Sequence, residues 1–241
     1  MAIIVFQHWD LGRPGRLGVT LRDHGFKLDI RRLDHGDVVP GDYDGVEAVI
    51  SLGGPQNVGE NHRWMQPEME YLRGAHARAL PVIGVCLGHQ MLAAALGGEV
   101  APMAKPEMGF VDVDLNVTGQ TDAILAGIAW RSPQFQSHGQ EVKTLPPDSV
   151  LLGSSAGCKA QVFRAGLRSY GFQYHFEVDG ALIEAYVKHD RGDLAKAGTN
   201  ADEVLRQSRG PRGEMFSRLA DRLSLNLASL LIPGRAAVGI A

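Results

Sequence analysis

The stretch Pro81-Val82-Ile83-Gly84-Val85-Cys86-Leu87-Gly88-His89-Gln90-Met91-Leu92-Ala93-Ala94-Ala95-Leu96 decides the fold. An apolar, β-branched run leads in, an Ala/Leu-rich helical pattern leads out, and Gly97-Gly98 stops that helix. One cysteine therefore sits at a strand-to-helix corner, with glycine two positions before it and two after. Such a corner forces the central residue into a strained conformation, and bulky neighbours would collide there. What it achieves is an exposed sulfur at a helix N-terminus, where unpaired N–H groups and the dipole favour thiolate. The N–H of Leu87 can point at a developing oxyanion. A free cysteine is ordinarily a buried packing residue. The Gly-x-Cys-x-Gly corner reverses that default for Cys86.

The 241 residues suffice for one large α/β domain, or one domain plus an appendage. With 44% hydrophobic and 21% charged residues, a sizeable core needs no staples. A net charge of −3 gives no electrostatic case for nucleic acid or an anionic membrane. Two cysteines, Cys86 and Cys158, make no disulfide framework. Met1 to Phe6 is too short and uncharged for a signal peptide and reads as a first strand. No run approaches the roughly 18 apolar residues of a membrane span. The expected location is the cytoplasm, where a reactive thiol stays reduced.

Outward from the corner, Ile3 to Phe6, Lys27 to Leu33 and Val46 to Leu52 read as strands, the first and third buried on both faces. Pro14 to Gly25 and Trp64 to Arg78 read as helices; Met65, Met69 and Leu72 on the latter are core. Asp34-His35-Gly36-Asp37 is a solvated turn rather than a metal cluster. Gly53-Gly54-Pro55-Gln56-Asn57 follows a strand's C-terminal end, the edge where open parallel sheets bind ligands. Val111 to Leu115 alternates strictly, which predicts an antiparallel or peripheral strand with one wet face. Phe135 to Gln140 reads as a loop. Ser149 to Ser154, Cys158 to Ala165 and Leu167 to His175 read as three strands, with Cys158 a packing residue in the second.

His175 and Glu177 are two apart, so on an extended chain they share a face, and the carboxylate can orient the imidazole as a base. An isolated His-x-Glu is usually a surface pair; this one gains weight beside Cys86. Val178 to His189 is an amphipathic helix ended by Arg191-Gly192. Beyond it, Ala201 to Gln207 and the stretch from Glu214 read as helices, separated by a break at Gly210-Pro211. Phe216, Leu219, Leu223, Leu227 and Leu230 form an apolar stripe expected to pack on the core. Gly234 to Ala241 is expected to fray.

Gly84-Val85-Cys86-Leu87-Gly88-His89-Gln90 resembles the nucleophile signature of class I, triad-type glutamine amidotransferase domains. Ser51-Leu52-Gly53-Gly54-Pro55 resembles that family's oxyanion loop, Ser137-His138-Gly139 its substrate-side loop, and Gly171 to Glu177 its His-x-Glu segment. The likeness covers about residues 1–190 and is nearest to stand-alone relatives of the GMP synthase glutaminase domain; it leaves 191–241 as a C-terminal helical extension. It implies a flavodoxin-like, doubly wound α/β fold, mostly parallel with a few antiparallel strands. It implies Cys86 as nucleophile, His175 as base and then acid, and Glu177 as orienter. Backbone N–H groups of Gly54 and Leu87 would form the oxyanion hole. Gln90, Ser137, His138 and Gly139 would hold the substrate's amino-acid end. His89 is expected to pack or hydrogen-bond rather than catalyse. The family usually has proline between the triad histidine and glutamate; here Phe176 stands there, so the turn needs another hold.

The substrate so implied is glutamine or another γ-glutamyl compound, with no cofactor and no metal. Without a synthetase domain in the chain, a separate ammonia-accepting synthetase is the expected partner. A γ-glutamyl peptide hydrolase or transpeptidase would use the same thioester, and a non-catalytic regulatory scaffold is the third reading.

Overall fold

A computed structural model describes residues 1–232. In chain order these residues form β1 (Ala2–Gln7), α1 (Gly15–Asp23), β2 (Leu28–Arg32), β3 (Val46–Ser51), α2 (Met65–Ala77), β4 (Val82–Val85) and α3 (Leu87–Ala95). Then come β5 (Glu99–Leu115), α4 (Val117–Thr121), β6 (Arg131–Thr144), β7 (Ser149–Ser154), β8 (Val162–Ala165) and β9 (Ser169–Phe172). Four α-helices follow, α5 (Gly180–His189), α6 (Arg191–Lys196), α7 (Ala201–Ser208) and α8 (Pro211–Asn226), and a π-helical turn over Leu227–Leu231 closes the described chain.

One nine-stranded sheet runs in the order β2-β1-β3-β4-β9-β8-β7-β5-β6. The strands from β2 to β9 pair in parallel, in the flavodoxin-like doubly wound order; β8, β7, β5 and β6 extend the sheet by antiparallel pairing. Side chains along β1 alternate between two cores. Ile3 and Val5 face α1, α5 and α8, whereas Ile4 and Phe6 face α2 and α3. Burial on both faces is why the strand reads as a continuous apolar run. The parallel strands end together at one edge, and β4 delivers Cys86 there.

Several expectations need correction. Phe135 to Gln140 is not a loop but lies in β6, paired with β5 from Phe110↔Phe135 through Glu107↔His138. Its polar side chains are paired inside: Gln136 Nε2 donates to Gln161 Oε1 at 2.9 Å. Cys158 lies in the turn before β8 rather than in the strand, though it is buried as expected. The last strand stops at Phe172, because β4 has already turned into α3 and offers no further partner. His175 and Glu177 therefore sit beyond the sheet, around a turn, and His175 N donates instead to Phe135 O at 2.8 Å. Arg191-Gly192 does not end the helical region but opens α6, where buried Leu194 offsets the roughly 1 kcal/mol cost of a helical glycine. Of the apolar stripe, Phe216, Leu219, Leu223 and Leu227 are buried, but Leu230 is 58% exposed. The expectation for Gly234 to Ala241 lies outside the described residues.

Candidate active site

Cys86 has φ 53° and ψ −105°, a left-handed conformation that costs a β-carbon-bearing residue roughly 1–3 kcal/mol. The corner is over-determined by its neighbours. Cys86 N donates to Phe172 O at 2.8 Å, and Gly88 N to Leu52 O at 3.2 Å. The two flanking glycines are sterically required: a methyl group on Gly84 would lie 2.5 Å from Gly88 O, and one on Gly88 would lie 2.0 Å from Ser51 O.

His175 reaches the corner from the turn after β9. Its Nδ1 pairs with Glu177 Oε1 at 2.7 Å, with both side chains 1% exposed. Nδ1–H donating to the carboxylate leaves Nε2 free to take a proton; it makes no hydrogen bond of normal geometry among the described residues, while the Cys86 side chain lies close enough to favour the charged ring. Burial opposes protonation of this imidazole. The Glu177 charge, and after it that of Cys86, outweigh burial and raise His175 well above the ordinary histidine value. Thiol and imidazole meet over Gly53: a methyl group there would lie 2.6 Å from His175 Cε1 and 3.5 Å from Cys86 Cβ.

The turn that lacks proline is held in two ways. Phe176 is fully buried with its ring centroid 5.0 Å from that of Phe172. The start of α1 also grips the turn: Arg16 N donates to Glu177 O at 2.8 Å and Arg16 Nε to Val178 O at 2.9 Å.

Gly54 lies against the start of α3, where a methyl group on it would come within 3.0 Å of Leu87 Cδ2. Beside them is a cavity of about 380 Å³ that Gly54, Cys86, Gln90, Ser137, His138, Gly139 and His175 all line. Gln90 Nε2 donates to Gln140 O at 2.9 Å and Gln173 Oε1 at 3.1 Å. Ser137 Oγ donates to Asp190 Oδ2 at 2.7 Å. The His138 ring is engaged by Gln140 O at 2.9 Å and Glu107 Oε2 at 3.2 Å, which fix it in the cavity wall. The remaining sequence candidates all gather at this one edge.

His89 is fully buried, 5.0 Å ring to ring from Phe163, and neither nitrogen makes a hydrogen bond of normal geometry among the described residues, though the backbone of Gly171 and Ala160 lies beside the ring. Burial pushes its pKa down to about 3, so it packs as a neutral ring. Burial pushes the Cys158 thiol up to about 12, which leaves it unreactive.

Sequence reading missed one wall of the cavity. Trp9, Tyr186, Asp190, Asp193 and Lys196 line it as well. Tyr186 looked like one more apolar position of an amphipathic helix, yet its ring lies 5.1 Å from that of His175. Burial, then the charges of Glu177 and Cys86, drive its phenol well above the usual tyrosine range. Asp190, Asp193 and Lys196 carry no motif; only the turn from α5 into α6 brings them to the cavity that Cys86 lines.

The family whose description is "Glutamine amidotransferase class-I" matches residues 17–188. The chain belongs to that family. Among curated relatives, this amidotransferase is 34% identical to a subunit of the glutamine-hydrolysing GMP synthase of Ignicoccus hospitalis, over 67% of its own length and 88% of the relative's. It is 27% identical to the "Putative glutamine amidotransferase-like protein YfeJ" of Salmonella typhimurium, over 73% and 75% of the two lengths. Among solved structures, the fold of a glutamine amido transferase from Methylobacillus flagellatus superposes with a TM-score of 0.88 at 24% identity, covering 99% of this chain and 98% of that one. That superposition extends through the helices after α5, beyond the residues the family match reaches. Among the described residues, no helix of this amidotransferase is long and apolar enough to cross a membrane. No group of three or more His, Cys, Asp or Glu among them is placed to hold a metal.

Proposed function

We propose that the protein hydrolyses the side-chain amide of glutamine through a Cys86 thioester. Cys86 sulfur attacks the amide carbon while His175 Nε2 holds the thiol proton, which then passes to the departing nitrogen as ammonia leaves. The developing oxyanion takes the N–H groups of Leu87 and Gly54. Water, deprotonated by His175, splits the thioester and returns the thiol with glutamate. Glu177 keeps the imidazole in the required tautomer throughout. Gln90 and the Ser137–Gly139 segment of β6 hold the amino-acid end of the substrate. The observation that supports this reading is the meeting of the Cys86 corner and the buried His175–Glu177 pair over Gly53. On this reading residues 1–190 serve as the amidotransferase unit, and α6, α7 and α8 belong to an extension packed on it. Relatives that are separate subunits of glutamine-hydrolysing GMP synthases support a separate synthetase as ammonia acceptor, and a reactive thiol suits the cytoplasm.

The test is ammonia release from glutamine against a panel of γ-glutamyl peptides. Cys86→Ala is expected to abolish turnover with the fold intact, and Glu177→Ala to lose less, since orienting a base is softer than forming a bond. Full turnover by Cys86→Ala would refute the nucleophile. Turnover of the peptides but not of glutamine would move the assignment to a γ-glutamyl hydrolase.

A further inference from the structure

Beneath the oxyanion loop lies a buried polar cluster that the proposed chemistry does not use. His8 follows β1, Ser51 ends β3 and Glu68 lies on α2; all three are fully buried. His8 Nε2 pairs with Glu68 Oε2 at 2.8 Å, and Ser51 Oγ donates to Glu68 Oε1 at 2.6 Å. Burying an ion pair is seldom worthwhile for stability alone, because desolvation offsets most of the attraction. Its position suggests a different use.

We infer that His8, Glu68 and Ser51 are positioning residues that fix the Gly53–Gly54 peptide with its N–H aimed at the thiol. A trans peptide directs its C=O and N–H to opposite sides. Holding the Gly53 carbonyl therefore decides where the Gly54 N–H points. That carbonyl faces the β1–α1 loop: a methyl group on Gly12 would lie 2.4 Å from Gly53 O. His8 stands on the same side, with its Cβ 2.9 Å from where a Gly54 methyl would be. Gln56 Nε2 reaches back to His8 O at 3.2 Å, closing the loop over the histidine. His8 Nδ1 is buried with no hydrogen bond of normal geometry among the described residues. Burial opposes charge on the ring, but Glu68 outweighs it, with help from the Gly53 and Leu52 carbonyls, and raises His8 above the ordinary histidine value. Held by Glu68 at 2.8 Å, the His8 side chain stands where it can draw the Gly53 carbonyl away from the active site. Ser51 also ties the set to the nucleophile corner, since its carbonyl packs directly against Gly88.

This inference rests on the proposed function, in which Gly54 N–H stabilises an oxyanion. The test compares two reactions of the same sulfur in the full chain. Glutamine hydrolysis passes through an oxyanion. Alkylation of Cys86 by iodoacetamide does not: a C–S bond forms as iodide leaves. Cys86 lines the cavity and Cys158 does not, and labelling of each is read separately by mass spectrometry. Glu68→Gln is expected to lower kcat for glutamine by about 10- to 100-fold, short of the 10²–10³ lost with a whole oxyanion donor. KM and the alkylation rate should stay within about 2-fold. Ser51→Ala, which keeps the His8–Glu68 pair, should give a smaller loss with the same split, and carries the comparison if Glu68→Gln fails to fold. Parallel loss of hydrolysis and alkylation, or undiminished hydrolysis in both variants, overturns the inference. Turnover surviving in Cys86→Ala overturns the proposed function itself, and this inference with it.

Discussion

His8, His89 and His175 are all buried, yet their surroundings drive protonation in opposite directions. His8 and His175 face carboxylates and are raised. Their favourable contribution is complete below the unfolded value and is lost as pH rises through the folded one. His89 has an aromatic ring and backbone around it and falls to about 3. Below about 6.5 the unfolded chain takes a proton there that the folded chain refuses until about 3. Stability should therefore fall as pH drops through that window, by at most roughly 1.4 kcal/mol per unit. His89→Leu should lose less stability than the parent between pH 7 and 4.5 in urea titrations. Equal acid sensitivity would show that His89 is not a source of it. At this scale the sequence was informative about Cys86, whose flanking glycines state the backbone strain outright. It was uninformative about Tyr186, whose apolar neighbours conceal that its ring lies beside His175.

The strand–corner–helix element is encoded by consecutive residues, so the chain's own order makes it legible. Its tolerances are just as local. Gly88→Ala would put a methyl group 2.0 Å from the backbone of Ser51, which cannot yield without moving β3. We expect it to destabilise by roughly 1–3 kcal/mol or more and to abolish turnover. Gly139→Ala, with no atom within 4 Å of the new methyl, should leave the melting temperature almost unchanged. Thermal unfolding of the two variants checks the contrast; similar losses would mean that the corner is not specially packed. Other elements were less legible. β6 carries Gln, Ser and His where a buried strand usually shows apolar residues, because its partners Gln161, Asp190 and Glu107 come from elsewhere in the chain. Composition looked like a loop for that reason.

Across the whole molecule, the helices after α5 share the main core rather than standing apart from it. Phe216 of α8 is 1% exposed, and its ring centroid lies 5.5 Å from that of Phe110 in β5. Asn226 closes the far end by donating to Ile124 O at 2.9 Å and Ala126 O at 2.8 Å. Phe216→Ala is expected to cost about 3–5 kcal/mol, read from denaturant midpoints. A loss below about 1 kcal/mol would show α8 to be peripheral.

By itself the sequence determined the buried strands, the bent cysteine and the histidine–glutamate segment, while the doubly wound order came from its resemblance to a family. Strand burial, the sharp corner and helix stops are all dictated by sterics and hydrophobicity among near neighbours. Only the tertiary structure decided what stands around the sulfur. The α6 wall, the polar β6 and the set under Gly53 are assembled by contacts between residues far apart in the chain. No local pattern records such contacts, because each partner is satisfied only by the other.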